Sequence, residues 1–338
     1  MADRVLMADV AQLAGVSLQT VSRVVNGSTL VTEATKTKVM DAINTLGYRP
    51  NLAARNLAAS QSKAVGVLLT GDVDHGMSSA FRAVEHAARE QGYYLCVATA
   101  EDPKRYEVAL EQLVGQAVAG CIVLARSADV LDALATYAPS LPTCLVFTDH
   151  NPGDNTAVVA VDQKNGIRNL IDHLTDLNRT QLCHITGDMS WDDALARREA
   201  FVDYCQEIGT DFQVVTGYGW SAQAGYDAAL ALLDDAGASV DKQRPDAIVA
   251  ANDNLALGVI RCLHERGLRI PEDIAVTGFD DSPLSAWTTP SLTTVTQDFT
   301  AIGSAALQAL MELLEGKPGP KVILTPELVV RESTAGKT

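Results

Sequence analysis

The sequence predicts an α/β chain in two parts: a small all-α module at the N-terminus, then a large body of two doubly wound parallel-sheet lobes. Three observations carry this. Residues 1–63 hold helical apolar periodicity and no strand-like run. From Ala64 onward, short Val/Ile/Leu runs alternate with helical patterns, the signature of parallel strands buried on both faces. The charge is also divided: residues 1–63 carry seven Lys/Arg against four Asp/Glu, a net +3, so the remainder carries −19 of the total −16. A basic head on an acidic body suits a module that approaches a polyanion, attached to a body that does not.

Taken in order, Met7 to Ala14 reads as a helix with Val10 and Leu13 on one face. Gly15 permits a sharp turn, and Ser17 is placed to cap a second helix. On that helix Val21, Val24 and Val25 share one side, while Leu18, Gln19, Ser22 and Arg23 share the other. Asn26-Gly27 ends it. Thr32 caps a third helix striped by Val39, Ile43 and Leu46, ending at Gly47. Three short helices with a glycine turn between the first two make a helix-turn-helix module. Gln matches adenine edges and Arg matches guanine O6/N7, each worth roughly 1–3 kcal/mol of discrimination, and Leu18 suits a thymine methyl. The plain alternative is a three-helix bundle with a solvated polar face.

After Pro50, Leu52 to Ala58 has the makings of two helical turns, followed by a polar stretch, Ser60 to Lys63. A helix this short is marginal alone. Spacing alone favours an ordinary linker, although Leu57 has the character of a minor-groove wedge.

Strand candidates in the body are VGVLL (65–69), YLCVAT (94–99), GCIVLA (120–125), TCLVF (143–147) and VVAVD (158–162). A second series follows: LCHIT (182–186), QVVTG (213–217), DAIVAAN (246–252) and IAVTGFD (274–280). Two such series imply two lobes. TTVTQD, a helix over 299–315 and a strand VILTPELVV come last.

Ligands of open α/β sheets sit beyond the carboxyl ends of the strands. Asp149, Trp220, Asn252, Asp253, Asp280, Asp281, Gln297 and Phe299 follow predicted strands there, and Trp191 and Arg197 lie just past another. Carboxylates and amides that grip vicinal hydroxyls, a forked guanidinium and aromatics over a C–H face are what a polyol site needs. Plainer roles exist for each. Asp253 and Asp281 read better as helix caps, Arg197 beside Arg198 suits a solvated face equally well, and Trp287 reads as packing.

Other chemistries find little support. GYGWSA (217–222) fits a loose dinucleotide fingerprint, but Trp220 would crowd a pyrophosphate and no acidic residue closes the next strand. There is no GxSxG or HExxH, the six histidines are dispersed, and the six cysteines form no CxxC. No catalytic residue, metal or cofactor is assigned. No apolar run reaches the ~18 residues of a membrane span and no signal core opens the chain, so a cytoplasmic location is expected, with no membrane partner. Scattered thiols agree with a reducing compartment.

DVAQLAGVSLQTVSRVVNG, LGYRPNLAARNLA, ANDNLALG and GFDDSPLSAWTTPSLTTVTQDF, in this order and spacing, resemble the lactose/galactose repressor family across nearly the whole chain. The resemblance implies a sequence-specific transcriptional regulator, its core similar to periplasmic sugar-binding proteins. It implies a headpiece over 1–49, a hinge helix and linker over 50–63, and an effector core over 64–338. The core splits into a first lobe at about 64–161 plus 292–322 and a second at about 162–291 plus 323–333. It reverses the odds on Leu57, which matches the family's operator wedge.

Candidate DNA contacts are then Ser17, Leu18, Gln19, Thr20, Ser22, Arg23, Asn26, Asn51, Ala54 and Leu57. Leu18 stands where a lactose-responsive member has tyrosine, so the operator need not be the same. Arg197, Asn252, Asp280, Trp220 and Phe299 match effector positions, Asp149 a peripheral one, and Gln297 is placed with them. Trp191 departs from the family's serine and is taken as an added stacking surface. The loop DVDHGMSS (72–79) is more polar than its counterpart, with Asp72, Asp74 and His75 offering hydrogen bonds; Asp74 joins the candidate effector residues. The expected partners are a palindromic double-stranded operator, a small sugar (a disaccharide or galactoside-like sugar among them) and a second copy of the chain. A dimer is expected rather than a tetramer, since no leucine-heptad tail follows RESTAGKT. A purine corepressor, and a sugar-binding protein without regulatory role, are the alternatives.

Overall fold

The computed structural model describes the chain except residues 1–4, 26–27, 29, 49–61, 72–73, 138–139, 149, 151–152, 154, 218, 239–243 and 336–338. It divides into two compact units, Met1–Ser62 and Lys63–Thr338.

In the first unit, α1 (Met7–Ala14), α2 (Leu18–Val25) and α3 (Glu33–Leu46) surround one small core. Gly15 ends α1 in the left-handed region (φ 67°) and Gly47 does the same for α3 (φ 63°). The Ser17 hydroxyl accepts from the Thr20 N–H at 3.2 Å, and Thr32 accepts from Thr35 N–H at 3.4 Å. Val10, Val21 and Val39 are fully buried. Leu13 corrects the expectation for α1: it is 53% exposed. The buried stripe runs through Met7, Val10, Ala11 and Ala14 instead. Small alanines let the helices approach closely, so the larger apolar residue is the one left outside.

The second unit holds two lobes. The first is a six-stranded parallel sheet in the order β2-β1-β3-β4-β5-β11. Its strands are β1 (Ala64–Thr70), β2 (Tyr94–Ala100), β3 (Gly120–Leu124), β4 (Thr143–Val146), β5 (Thr156–Val161) and β11 (Lys321–Leu324). Side chains alternate along β1: Val65, Val67 and Leu69 face α4 (His75–Glu90) and α11 (Phe299–Leu314). Leu68 faces α5 (Tyr106–Gly115) and α6 (Val130–Tyr137) on the other side. Gly120 is required here, since a Cβ would lie 2.8 Å from both Pro142 O and Leu310 Cδ1.

The second lobe is a four-stranded parallel sheet in the order β7-β6-β8-β9. These are β6 (Gln181–Ile185), β7 (Asp211–Val215), β8 (Ala247–Ala250) and β9 (Ala275–Thr277). On one face lie α7 (Gln163–Asp176) and α8 (Asp192–Ile208), and on the other α9 (Ala222–Ala238) and α10 (Asp253–Glu265). All nine expected strands of the two series form. β1, β3, β4, β5 and β8 are central and buried throughout, while β2 and β7 are sheet edges with partly exposed residues.

The terminal segments depart from expectation. VILTPELVV is two strands, β11 and β12 (Glu327–Val329), parted at Thr325-Pro326. Proline has no N–H for a ladder, and the chain changes lobe there. Ile323 and Leu324 pair with Ala160 and Val161, so the first sheet extends past residue 322. β10 (Thr294–Thr296) pairs antiparallel with β12, and Val295 and Leu328 join the second lobe's core. The return to the first lobe therefore comes at α11, capped by Asp298, and not at 292. Trp287, expected to pack, is 84% exposed.

Candidate functional site

Two places gather polar side chains. On α2, Gln19 and Arg23 are exposed on the side opposite buried Val21 and Val24, and Leu18 beside them is 53% exposed. Four residues apart, Gln19 and Arg23 share a face. Thr20 and Ser22 are half-buried at its margin. The Ser17 hydroxyl is engaged in capping and lies 2.9 Å from that of Thr20. Asn26, Asn51, Ala54 and Leu57 lie outside the described residues.

In the second unit, a cavity of about 40 Å³ lies between the lobes. The first lobe lines it with Asp74, Gly76, Met77, Arg126 and Phe147; the second contributes Trp191, Asp193, Arg197, Trp220, Asn252 and Asp280, and Gln297 comes from the segment after β10. Local structure fixes each. Asp74 caps α4, accepting from Met77 N–H at 2.8 Å. Asn252 caps α10, accepting from Leu255 N–H at 2.9 Å, which leaves its amide N–H₂ toward Trp220 O at 3.5 Å. Asp280 lies just past β9 with φ 112°, held by its N–H donating to Val295 O.

Arg197 is 2% exposed and organises the floor. It donates to Gln163 Oε1 at 2.8 Å and Ala251 O at 2.5 Å, with Asp193 and Asp280 each at 3.8 Å. Its guanidinium lies 3.9 Å from the Phe279 ring centre. The solvated-face reading of Arg197 is thereby excluded. Gln297 donates to Asp280 Oδ1 at 2.6 Å. Burial pushes the Asp280 carboxyl well above the usual range, a shift opposed by Arg197 and reinforced by Asp253. Burial likewise pushes Asp193 up to about 6, against the pull of Arg197. Among the described residues, buried Trp220 Nε1 and Gln297 Oε1 have no hydrogen-bond partner. An orphaned buried donor or acceptor costs about 1–3 kcal/mol.

The aromatic wall is continuous. The Trp191 and Trp220 ring centres are 4.9 Å apart, with Arg126 3.6 Å from the Trp191 centre and Arg197 5.8 Å from that of Trp220. Gly187 allows this, since a Cβ there would lie 2.3 Å from the Trp220 ring. Trp191 is thus no bare stacking surface, because one side of its ring carries Arg126.

Not every expected residue gathers here. Phe299 lines an adjoining open groove, edge-on to His75 at 5.8 Å, and backs the cavity at Gly76. Asp72 and Asp149 lie outside the described residues. Asp253 is no cap: it accepts from Ser282 N–H (2.6 Å), Ser285 Oγ (2.7 Å) and Thr294 Oγ1 (2.6 Å). Asp281 pairs with Arg331 at 2.7 Å. Sequence reasoning passed over Arg126, Phe147, Asp193, Met77 and Gly76. Arg126 and Phe147 stood at strand ends, where the rule used for the others would have found them. No helix of the described residues is long and apolar enough to cross a membrane.

Residues 6–51 match the family model of bacterial regulatory proteins, lacI family, and residues 171–334 match a periplasmic binding protein-like domain. The chain is 31% identical over 336 residues to the HTH-type transcriptional repressor PurR of Haemophilus influenzae, covering 96% of this chain and 97% of that protein. It is 31% identical to the lactose operon repressor of Escherichia coli (98% and 90% covered) and 33% identical to that organism's ribose operon repressor (97% and 99%). Its fold overlays the Lac repressor dimer bound to operator and the anti-inducer ONPF with TM-score 0.88 at 31% identity, over 98% of this chain and 99% of that one. With an exposed polar face on one unit and a cavity lined by polar and aromatic side chains in the other, the chain belongs to the lacI family of bacterial regulatory proteins, as a DNA-binding transcriptional repressor.

Proposed function

We propose that this repressor senses a small sugar, which releases it from a palindromic operator. The observation that carries the reading is the pair of orphaned atoms, Trp220 Nε1 and Gln297 Oε1, set among Asp74, Asp193, Asp280 and Arg197. A hydroxyl both donates and accepts, so one polyol satisfies all of these groups at once. The tryptophans supply apolar cover for ring C–H bonds.

Two headpieces of a homodimer read the two half-sites, with Gln19 and Arg23 at base edges and Leu18 at a thymine methyl. Asn51, Ala54 and Leu57 add contacts from the hinge, Leu57 as the wedge at the operator centre. The sugar bridges both lobes and favours one lobe arrangement over the other. That preference, carried through residues 50–63, separates the paired hinges and weakens operator binding. Only differential affinity for the two arrangements does this work.

The likeness to PurR supports a second reading, a purine that acts as corepressor. A thermal-shift panel of sugars and purine bases, followed by gel shift on an operator palindrome, separates the two. A stabilising sugar that lowers operator affinity is expected. A stabilising purine that raises it would replace this reading with the second.

A further inference from the structure

The cavity's wall is a run of side chains in contact: Arg126, Trp191, Trp220, Arg197, then Asp280. Arg126 stands at one end, opposite in this run to the carboxylate, and it comes from the other lobe. Its position is fixed from both sides. Its N–H donates to Thr70 Oγ1 at 3.2 Å, tying it to the end of β1. Its carbonyl accepts from Asp192 N–H at 2.8 Å, across the cleft. The Asp192 carboxylate in turn accepts from Thr148 of the first lobe at 3.0 Å. The arginine stem runs beside Gly71 (φ 68°), where a Cβ would lie 3.1 Å from Arg126 Cδ. From that anchored backbone the guanidinium reaches over to the Trp191 ring, and Arg126 as a whole is 9% exposed.

A long side chain placed this firmly takes the indole surface that a further sugar unit would otherwise use. The cavity it leaves is small, about 40 Å³, well below the ~300–1,000 Å³ usual for ligand sites. We propose that Arg126 is a specificity-determining residue, which closes the Trp191 end of the cavity and restricts the effector to a single sugar ring. This rests on the reading of the cavity as a saccharide site. It narrows the class expected from sequence, because disaccharides are then excluded by bulk.

The test compares wild type, Arg126→Ala and Arg126→Met by calorimetric titration with pentoses, hexoses, cellobiose, lactose and a purine base. Alanine opens the Trp191 face, and we expect the ratio of disaccharide to monosaccharide affinity to rise about tenfold or more. Methionine keeps a long stem over the indole without the charge, and is expected to keep the wild-type preference, so it remains informative if the alanine variant folds poorly. A wild type that prefers a disaccharide, an alanine variant that loses all sugars equally, or a methionine variant that admits disaccharides would overturn the proposal while leaving the saccharide reading intact. A wild type that binds the purine and no sugar removes that reading, and this proposal with it.

Discussion

The headpiece and the body use polar side chains in opposite ways. Gln19 and Arg23 stand exposed on α2, backed by a core so small that Val10, Val21 and Val39 are its only fully buried side chains among the described residues. Arg197, Asn252 and Asp280 are 2%, 3% and 8% exposed, enclosed between two large cores. The proposed partners account for the contrast. A duplex is large and brings its own charge, so groups that read it must stand in solvent on a rigid helix. A small ligand must be desolvated to be held, so its partners are buried and held in place by one another. The same residue type therefore carries different energetics in the two regions.

The sharpest way to break this contrast is to truncate one arginine in each. Arg197→Ala strands Asp193 and Asp280 in the floor. A loss of about 3–5 kcal/mol is expected, measured by chemical denaturation of the body transition, together with loss of ligand-induced stabilisation. A change below 1 kcal/mol would mean that the floor is not held by Arg197. Arg23→Ala should leave folding within about 0.5 kcal/mol but cost roughly 1–3 kcal/mol in operator affinity. Unchanged gel shifts would remove the base-reading role.

Asp193 sharpens the comparison through pH. Its carboxyl keeps its proton up to about 6 in the fold, against an ordinary value of 3.8. Between those values the folded state holds more protons than the unfolded chain, so stability is full below the lower value and declines as pH rises through the upper one. Asp193→Asn should flatten that decline by a few degrees in Tm, read by calorimetry from pH 4 to pH 7. An unchanged pH profile would show that the group titrates as if in solvent. The smallest effect belongs to Leu13→Ser, within about 0.5 kcal/mol, since the side chain lies outside the headpiece core. A large loss there would restore Leu13 to the core.

What could be read from sequence, and what could not, divides along the same physical line. The strands buried on both faces were legible because they must be continuously apolar, a constraint local to the chain. Asn252 and Asp280 were legible from the strand-end rule together with the family resemblance. Arg126 stood at a strand end too, but its place over Trp191 was not legible, because only the packing of two lobes brings the two side chains together. Asp253 looked like a cap for a similar reason: its partners Ser282, Ser285 and Thr294 are distant in sequence. Ala11 was passed over for Leu13 because hydropathy weighs the larger residue, whereas close helix packing selects the smaller.

The central claim is that a ligand in the body controls what the exposed face of α2 does on DNA. Fluorescence anisotropy of the full chain on a palindromic operator duplex, titrated with the stabilising sugar, tests it most directly when wild type and Asp280→Ala are compared. The account predicts that the sugar weakens wild-type operator binding at least about tenfold, a coupling of roughly 1.4 kcal/mol, and leaves the variant unmoved. Equal operator affinity for wild type with and without bound sugar would contradict it.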